Sequence, residues 1–578
     1  MMNDMMLDEL LVQWKSERAP RADEFASTES FENRFFARVR AEKQKNVRKL
    51  TPLHKIAASI SAIRPGRLRP LASGVCYSMA APVPCGCLAD ASMDLSEKLF
   101  NKNDSALCFD TEEYKTVGER PFVAAATNPL STFGADVDTA MYSNLRRMIL
   151  DEERLPAPEA VRIEELINYF SYDYPAPEGK AVMRPHFEEG ISPWAPDRRL
   201  LLVGVQAETP QKELLPPSHY VFLIDNSGSM CSVFPMVKEA MTALARQLRP
   251  GDRVSMVTYG GGVEVLLKGC SDIETVCERI AQLETGGYTP GGEGIQTAYR
   301  LAEKHFIKGG NNRIVLISDG DFNVGASSEA ALVEMVTAKR DTGIYLSIAG
   351  CGMGNYKDNK LKMLANKGNG NVFYLDSVRE AKRVFVHGMT GNMYALARDV
   401  KFQIEFNPAK VFAYRLLGYE LRDMTDRDFR DDRKESGTVG LGQQVTALYE
   451  IIPADAPKDV KDEAIPGMKP LKYVSAATVD SDELLTFRIR YREAQGKKTH
   501  EKSEAVELPL PETANFQWAA AVAEFALSLR KSRFAPEASI EHAANEVQKN
   551  LGDDPHGERA EFLLMLRRAS ELRRKTDK

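Results

Sequence analysis

The sequence predicts an α/β protein: a doubly wound parallel sheet inserted between the segments of a β-sandwich, with a helical carboxyl-terminal tail. Three observations predict it. Between Tyr220 and Tyr374, short continuous apolar runs alternate with helical patterns, as strands buried on both faces of a parallel sheet do. On both sides of that stretch, further segments alternate or run apolar with strand patterning. From Phe516 onward the apolar period becomes that of helices.

Taken from the amino end, residues 1–42 carry Leu7, Leu10, Leu11 and Trp14, then Phe31, Phe35, Phe36 and Val39, a spacing that predicts two short amphipathic helices. Residues 43–69 are basic without an acidic side chain, and residues 70–89 carry no charge. A basic flank before an uncharged run is the pattern of a single membrane anchor with a cytoplasmic amino end. Pro70, Pro82 and Pro84 with two glycines also fit a flexible linker, and both readings stand. Residues 90–120 are polar and patternless, a spacer.

In the central stretch, Tyr220–Asp225 is a buried strand followed by a helix through Met236 and Leu248. Val254–Tyr259 and Val263–Leu267 are strands, Thr275–Leu283 and Ile295–His305 helices. Arg313–Ser318 is again a buried strand, and a helix over Glu329–Arg340 precedes the strand Gly343–Ala349. A helix at Leu361–Asn366 and a strand at Val372–Tyr374 close the series. The flanking strands are Leu200–Ala207, Val400–Phe406, Val411–Tyr419, Gln444–Ile452 and Leu484–Tyr491. The mixed-charge run 422–435 reads as a solvated loop or edge, and the proline-rich 453–470 as an exposed loop. Trp518–Leu529, Ala538–Leu551 and Gly557–Leu572 are the tail helices, with Phe516, Ala519, Val522, Phe525 and Leu527 supplying core.

Composition bounds the function. The 578 residues carry 76 Lys and Arg against 82 Asp and Glu, a net charge of −6, which argues against a general nucleic-acid binder. A mean hydropathy of −0.34 excludes a polytopic membrane protein. Among the eight cysteines only Cys85 and Cys87 are close, without the second pair of a structural zinc site, and the eight histidines show no HExxH spacing.

One constellation carries chemistry. Asp225 and Asp319 both end strands, where ligands bind in open parallel sheets. Asp225-Asn226-Ser227-Gly228-Ser229 brings one carboxylate and two hydroxyls onto a single turn; Thr289, among glycines 286, 287, 291 and 292, adds a third hydroxyl. Five hard oxygen groups suit a small divalent cation that keeps waters, Mg²⁺ before any soft metal. Strand-end aspartates also cap helices, but paired serines and a glycine-flanked threonine do not follow from capping. Asp321 and Asn323 read as loop-shaping groups.

That set, in that order, resembles the metal-ion-dependent adhesion site of von Willebrand factor type A domains. The resemblance implies that Ser227, Ser229 and Thr289 ligate the metal directly, that Asp225 and Asp319 act through water, and that an acidic side chain of a protein partner completes the shell. Mg²⁺ is the implied ion, with Ca²⁺ or Mn²⁺ as substitutes. Asn226 and Pro290 depart from the usual pattern, but neither is a ligand. The segments 128–150, 160–179, 397–420 and 442–453 resemble the bacterial YfbK-like subgroup of these proteins. The chain then divides into a basic helical region (1–69), the anchor or linker (70–89), a spacer (90–120), an amino-terminal module (121–216), the type A domain (217–395) and a carboxyl-terminal module (396–578).

The implied function is non-catalytic, metal-dependent binding of a protein partner, with no nucleic acid involved. If residues 70–89 cross a membrane, the type A domain lies outside the cytoplasm at the cell envelope; if not, the chain is cytoplasmic. Two alternatives stay open: a Mg²⁺-dependent hydrolase, since bound metal can activate water, and an adaptor to a chaperone-type ATPase. The sequence has no GxSxG elbow and no GxxxxGK[ST] loop, and Gly352-Met353-Gly354 alone is too weak for dinucleotide binding.

Overall fold

The computed structural model describes residues 118–576, apart from 136, 287–290, 320–328, 353–357, 468–480, 495 and 497. The helices, anchor or linker and spacer expected before residue 118, and Thr289, Asp321 and Asn323, lie outside the described residues.

The described residues open with two short strands, β1 (Val123–Ala124) and β2 (Leu130–Gly134), followed later by a hairpin of β3 (Met183–Ser192) and β4 (Ala195–Ala207). The central stretch supplies β5 (Ser218–Ile224), β6 (Arg253–Tyr259), β7 (Val263–Cys270), β8 (Asn311–Ser318), β9 (Ile344–Cys351) and β10 (Val372–Leu375). After it come β11 (Ala395–Phe406), β12 (Val411–Leu417), β13 (Asp423–Met424) and β14 (Gly437–Gly440), then β15 (Gln444–Pro453), β16 (Glu483–Glu493) and β17 (Thr499–Glu507).

The central sheet has the order β10-β9-β8-β5-β6-β7. Every residue of β5, β8 and β9 is buried, which explains their unbroken apolar runs. Helices cover both faces. Phe234–Ala245 packs with Tyr220, Phe222 and Ile224 on one side, and Gly291–Lys304 with Val221, Leu223 and Ile314 on the other. β5 runs parallel to β6 and β8, whereas β7 is antiparallel to β6. Only three residues, Gly260 to Gly262, separate β6 from β7; that length closes a hairpin and cannot make a parallel crossover.

Two antiparallel sheets flank it, ordered β1-β12-β15-β4-β3 and β13-β2-β11-β16-β17, with β14 on β11. They stack face to face around Phe133, Phe402 and Phe487 from one sheet and Phe187, Val203 and Tyr449 from the other. Phe133 lies 6.2 Å from Tyr449 and Phe187 5.5 Å from Phe487, ring centre to ring centre. Because β2 and β4 precede the central sheet and β11, β15 and β16 follow it, the sandwich is closed by segments from both sides of the insertion.

The tail helices Ala514–Arg530, Ile540–Lys549 and Glu558–Thr576 form a third core with the amino-terminal module, in which Tyr142, Phe170, Trp518 and Phe562 pack edge to face or tilted. The first of these helices is buried almost all round, and its one acid, Glu524, accepts from His542 Nδ1 at 2.7 Å and from the Ser539 amide at 3.1 Å.

Several elements differ from the sequence reading. β12 stops at Leu417 because Gly418 and Tyr419 turn with φ of +74° and +58°. The run 422–435 holds β13 and a helical turn, Asp426–Arg430, whose Phe429 is buried against the sandwich. The expected loop 453–470 contains a helix, Lys458–Ala464, with Val460 and Ala464 packed near Ala413 and Ile452. Among the described residues, no helix is long and apolar enough to cross a membrane.

Candidate metal centre

β5 and β8 are parallel neighbours with Ile224 opposite Ile317, so the residues that follow each strand leave the sheet side by side. The Asp225 amide still donates to Ile317 O at 2.9 Å, extending the ladder to the strand end. Asp225 and Asp319 are therefore held at one edge, 1% and 5% exposed.

The turn after Asp225 is built by its own side chain. Oδ1 accepts from the Ser227 amide at 2.9 Å, and the chain then enters a 3₁₀ turn, Gly228–Ser232. The Ser227 and Ser229 hydroxyls lie 3.0 Å apart, Ser227 buried and Ser229 exposed. Ser318 Oγ donates to Asp225 Oδ2 at 3.4 Å. The structure thus brings Asp225, Ser227 and Ser229 together and sets Asp319 beside Asp225.

The charge acting on Asp225 is the other carboxylate. Burial raises its pKa first; the bonds from Ser227 and Ser318 oppose this, and the negative charge of Asp319 adds to it. Two carboxylates crowded at one buried edge form a preorganised place for positive charge, and the neighbouring hydroxyls are neutral oxygen donors. This donor set fits a hard divalent cation. Among the described residues, no group of three or more His, Cys, Asp or Glu could hold a metal by itself.

The site has support that the sequence reading did not single out. The Tyr259 phenol, fully buried on β6, interacts with Asp225 and Ser318; burial raises it, and both aspartate charges add. Cys351 Sγ donates to Ser318 O at 3.5 Å, and burial raises its thiol likewise. Neither residue has a sequence signal apart from its strand. The loop leading to Thr289 is tethered here as well: the Gly286 amide donates to Asn226 O at 2.7 Å, and Asn226 Nδ2 donates to Glu284 O at 3.2 Å.

Three segments of the chain match known family models. Residues 220–321 match the family model of the von Willebrand factor type A domain, residues 108–202 that of von Willebrand factor, and residues 391–572 that of "Uncharacterized protein YfbK, C-terminal". The chain is 37% identical over 476 residues to "Uncharacterized protein YfbK" of Escherichia coli (strain K12), covering 79% of this chain and 80% of that protein. Among solved structures, a von Willebrand factor type A protein from Catenulispora acidiphila is 12% identical, covering 64% of this chain and 88% of that one, with a TM-score of 0.36. The conserved hypothetical protein BatB from Bacteroides thetaiotaomicron is 19% identical over 30% of this chain and 97% of its own, with a TM-score of 0.26.

Proposed function

The chain belongs to the YfbK family of von Willebrand factor type A domain proteins, and from that premise we propose that it is a non-catalytic binding protein that recognises a protein partner through a divalent cation. Mg²⁺ is the ion, with Ca²⁺ or Mn²⁺ able to replace it, and Asp225, Ser227, Ser229, Thr289 and Asp319 hold it. An acidic side chain of the partner completes the coordination. The observation that carries this reading is the pair of buried carboxylates, Asp225 and Asp319, at the ends of adjacent parallel strands, with the Ser227 hydroxyl within the same turn. Hard anionic and neutral oxygens in an open arrangement favour Mg²⁺ over soft metals. At the cell envelope, held by residues 70–89, the domain would face outward; finding the intact chain wholly in a soluble cytosolic fraction would remove that placement.

The test is calorimetric titration of Mg²⁺ into wild type and Asp225→Ala, with circular dichroism as the folding control. Removing one anionic oxygen should weaken Mg²⁺ binding by about a hundredfold. The fold should persist, because buried strands such as β5 and β8 hold the sheet. Ser227→Ala should weaken it less, since a neutral ligand contributes less Coulombic energy. Pull-downs with Mg²⁺ and with EDTA should retain and lose the same partner. Equal metal affinity in wild type and Asp225→Ala would sink the reading.

A further inference from the structure

At the end of the central sheet away from Asp225 and Asp319, where β5, β8 and β9 begin, a cavity of about 270 Å³ opens between the sheet and the sandwich. Arg340, Arg398, Tyr345 and Tyr394 supply much of its polar wall, with Asn311, Thr342 and one carboxylate, Asp341, which is paired with Arg340. Gly309 and Gly343, with φ of +73° and +92°, line it without side chains.

Guanidinium charge is concentrated here and unevenly compensated. Arg313 on β8, 2% exposed, lies 5.5 Å from the Tyr345 ring centre, and the fields of Arg398, Arg313 and Arg340 all reach the Tyr345 phenol. Arg340 is matched by Glu435 at 2.6 Å and Asp341 at 3.0 Å. Arg313 donates to Ser347 Oγ at 2.6 Å, and its buried Nε has no acceptor among the described residues. Arg398 donates to Gly496 O at 2.8 Å, and its Nε also lacks an acceptor there. Neither Arg313 nor Arg398 forms an ion pair among the described residues; Asp399, next to Arg398, pairs with Arg492 at 3.7 Å and feels the charge of Arg398 only at longer range. A guanidinium drawn out of water loses more than one neutral hydrogen bond returns.

We propose that this cavity binds a small oxyanion, a phosphate or carboxylate group on a compact molecule, with Arg398 as its direct ligand. The planar fork of an arginine matches the paired oxygens of either group, and an anion here would balance the surplus positive charge. This second site stands apart from the metal reading and does not depend on it.

The experiment titrates the full chain with inorganic phosphate, pyrophosphate and citrate in metal-free buffer at matched ionic strength. At least one probe should bind saturably, and Arg398→Gln should weaken that probe about tenfold or more. Arg433→Gln, which alters an arginine 91% exposed on the sandwich surface, should leave it unchanged. Preference for pyrophosphate or phosphate marks a phosphate-bearing ligand, and preference for citrate a carboxylate-bearing one. If Arg398→Gln loses its native circular dichroism, Arg398→Lys replaces it, keeping the charge but not the fork, with weaker binding again expected. No saturable binding of any probe up to about 10 mM, or undiminished affinity in the folded Arg398 variant, overturns the proposal.

Discussion

His219 illustrates how burial governs a single side chain in this molecule. It is the second residue of β5 and has no exposed surface, its Nε2 2.9 Å from Ser255 Oγ and its ring centre 5.8 Å from that of His305. Burial, then the positive charge of His305 and Arg253, lowers its pKa from 6.5 to about 4. The unfolded chain therefore binds a proton between pH 6.5 and 4 that the folded chain refuses. Stability from this group is complete above pH 6.5 and is lost as pH falls toward 4. From pH 7 to pH 5 the loss should be about 2 kcal/mol. Urea denaturation at the two values should show it, and His219→Gln should show a correspondingly smaller difference; an identical pH dependence in the variant refutes the assignment. Residues of this kind were not legible in the sequence as titrating groups, because the histidines show no spacing that marks burial. The oxygen cluster was legible, since Asp225, Ser227 and Ser229 act within one turn, where sequence distance is spatial distance. Tyr259 and Ser318 were not, because their contact with Asp225 arises only when β5, β6 and β8 lie side by side.

Among the elements, the β6–β7 hairpin has the closest bearing on the candidate metal centre. A Cβ at Gly260 would lie 2.6 Å from the Ser227 amide nitrogen and from the Asn226 carbonyl carbon, both backbone atoms that cannot swing aside. Gly260→Ala should displace the Asp225–Ser229 turn, lowering stability by about 1–3 kcal/mol and weakening Mg²⁺ binding with it. Gly262→Ala serves as the comparison: nothing lies within 4 Å of its Cβ, so its cost is backbone strain at φ +142° without pressure on the turn. Metal titration of both variants decides the point, and unaltered Mg²⁺ affinity in Gly260→Ala counts against it. Legibility at this scale followed burial. β5, β8 and β9 are enclosed on both faces, so their composition announces them. β17 (THEKSEAVE) is an edge strand with only Val506 buried, and its charges conceal it. β3 contains Pro185, Gly190 and a buried Glu188, which accepts from the Thr513 amide at 2.8 Å; that partner is 325 residues away, so no local pattern could predict the burial.

Across the whole described chain, the modules meet at Arg146. This guanidinium, 5% exposed, sits in the amino-terminal module at the end of the helix Ala140–Arg146. It donates to Asp376 Oδ2 at 2.7 Å and Glu380 Oε2 at 3.0 Å, both beyond β10, and to Glu561 Oε1 at 2.7 Å on the last helix. Arg383 also holds Glu380, at 2.7 Å, and Arg379 holds Glu561, at 2.5 Å; Asp376 pairs with Arg146 alone among the described residues. Removing the cation should therefore cost more than the bonds it makes, because it strands a buried carboxylate; about 3–5 kcal/mol is expected for Arg146→Ala. Burial already raises Asp376 to about 6 against the lowering pull of Arg146, so without Arg146 its pKa should rise further. An acid raised in the folded state binds extra protons there, and stability from it falls as pH rises. The deficit of Arg146→Ala relative to wild type should accordingly shrink as pH falls from 7 to 5, since a protonated Asp376 needs no counter-charge. Of the three tryptophans, Trp194 and Trp518 lie in the flanking modules and none lies within residues 217–395, so in a Trp14→Phe background fluorescence reports the flanking modules and far-ultraviolet dichroism the whole chain. In wild type the two denaturation curves should coincide. In Arg146→Ala both midpoints should fall and the curves should separate, as the modules lose the junction that makes them unfold together. Coincident curves with an unshifted midpoint, at either pH, would show that Arg146 does not couple them.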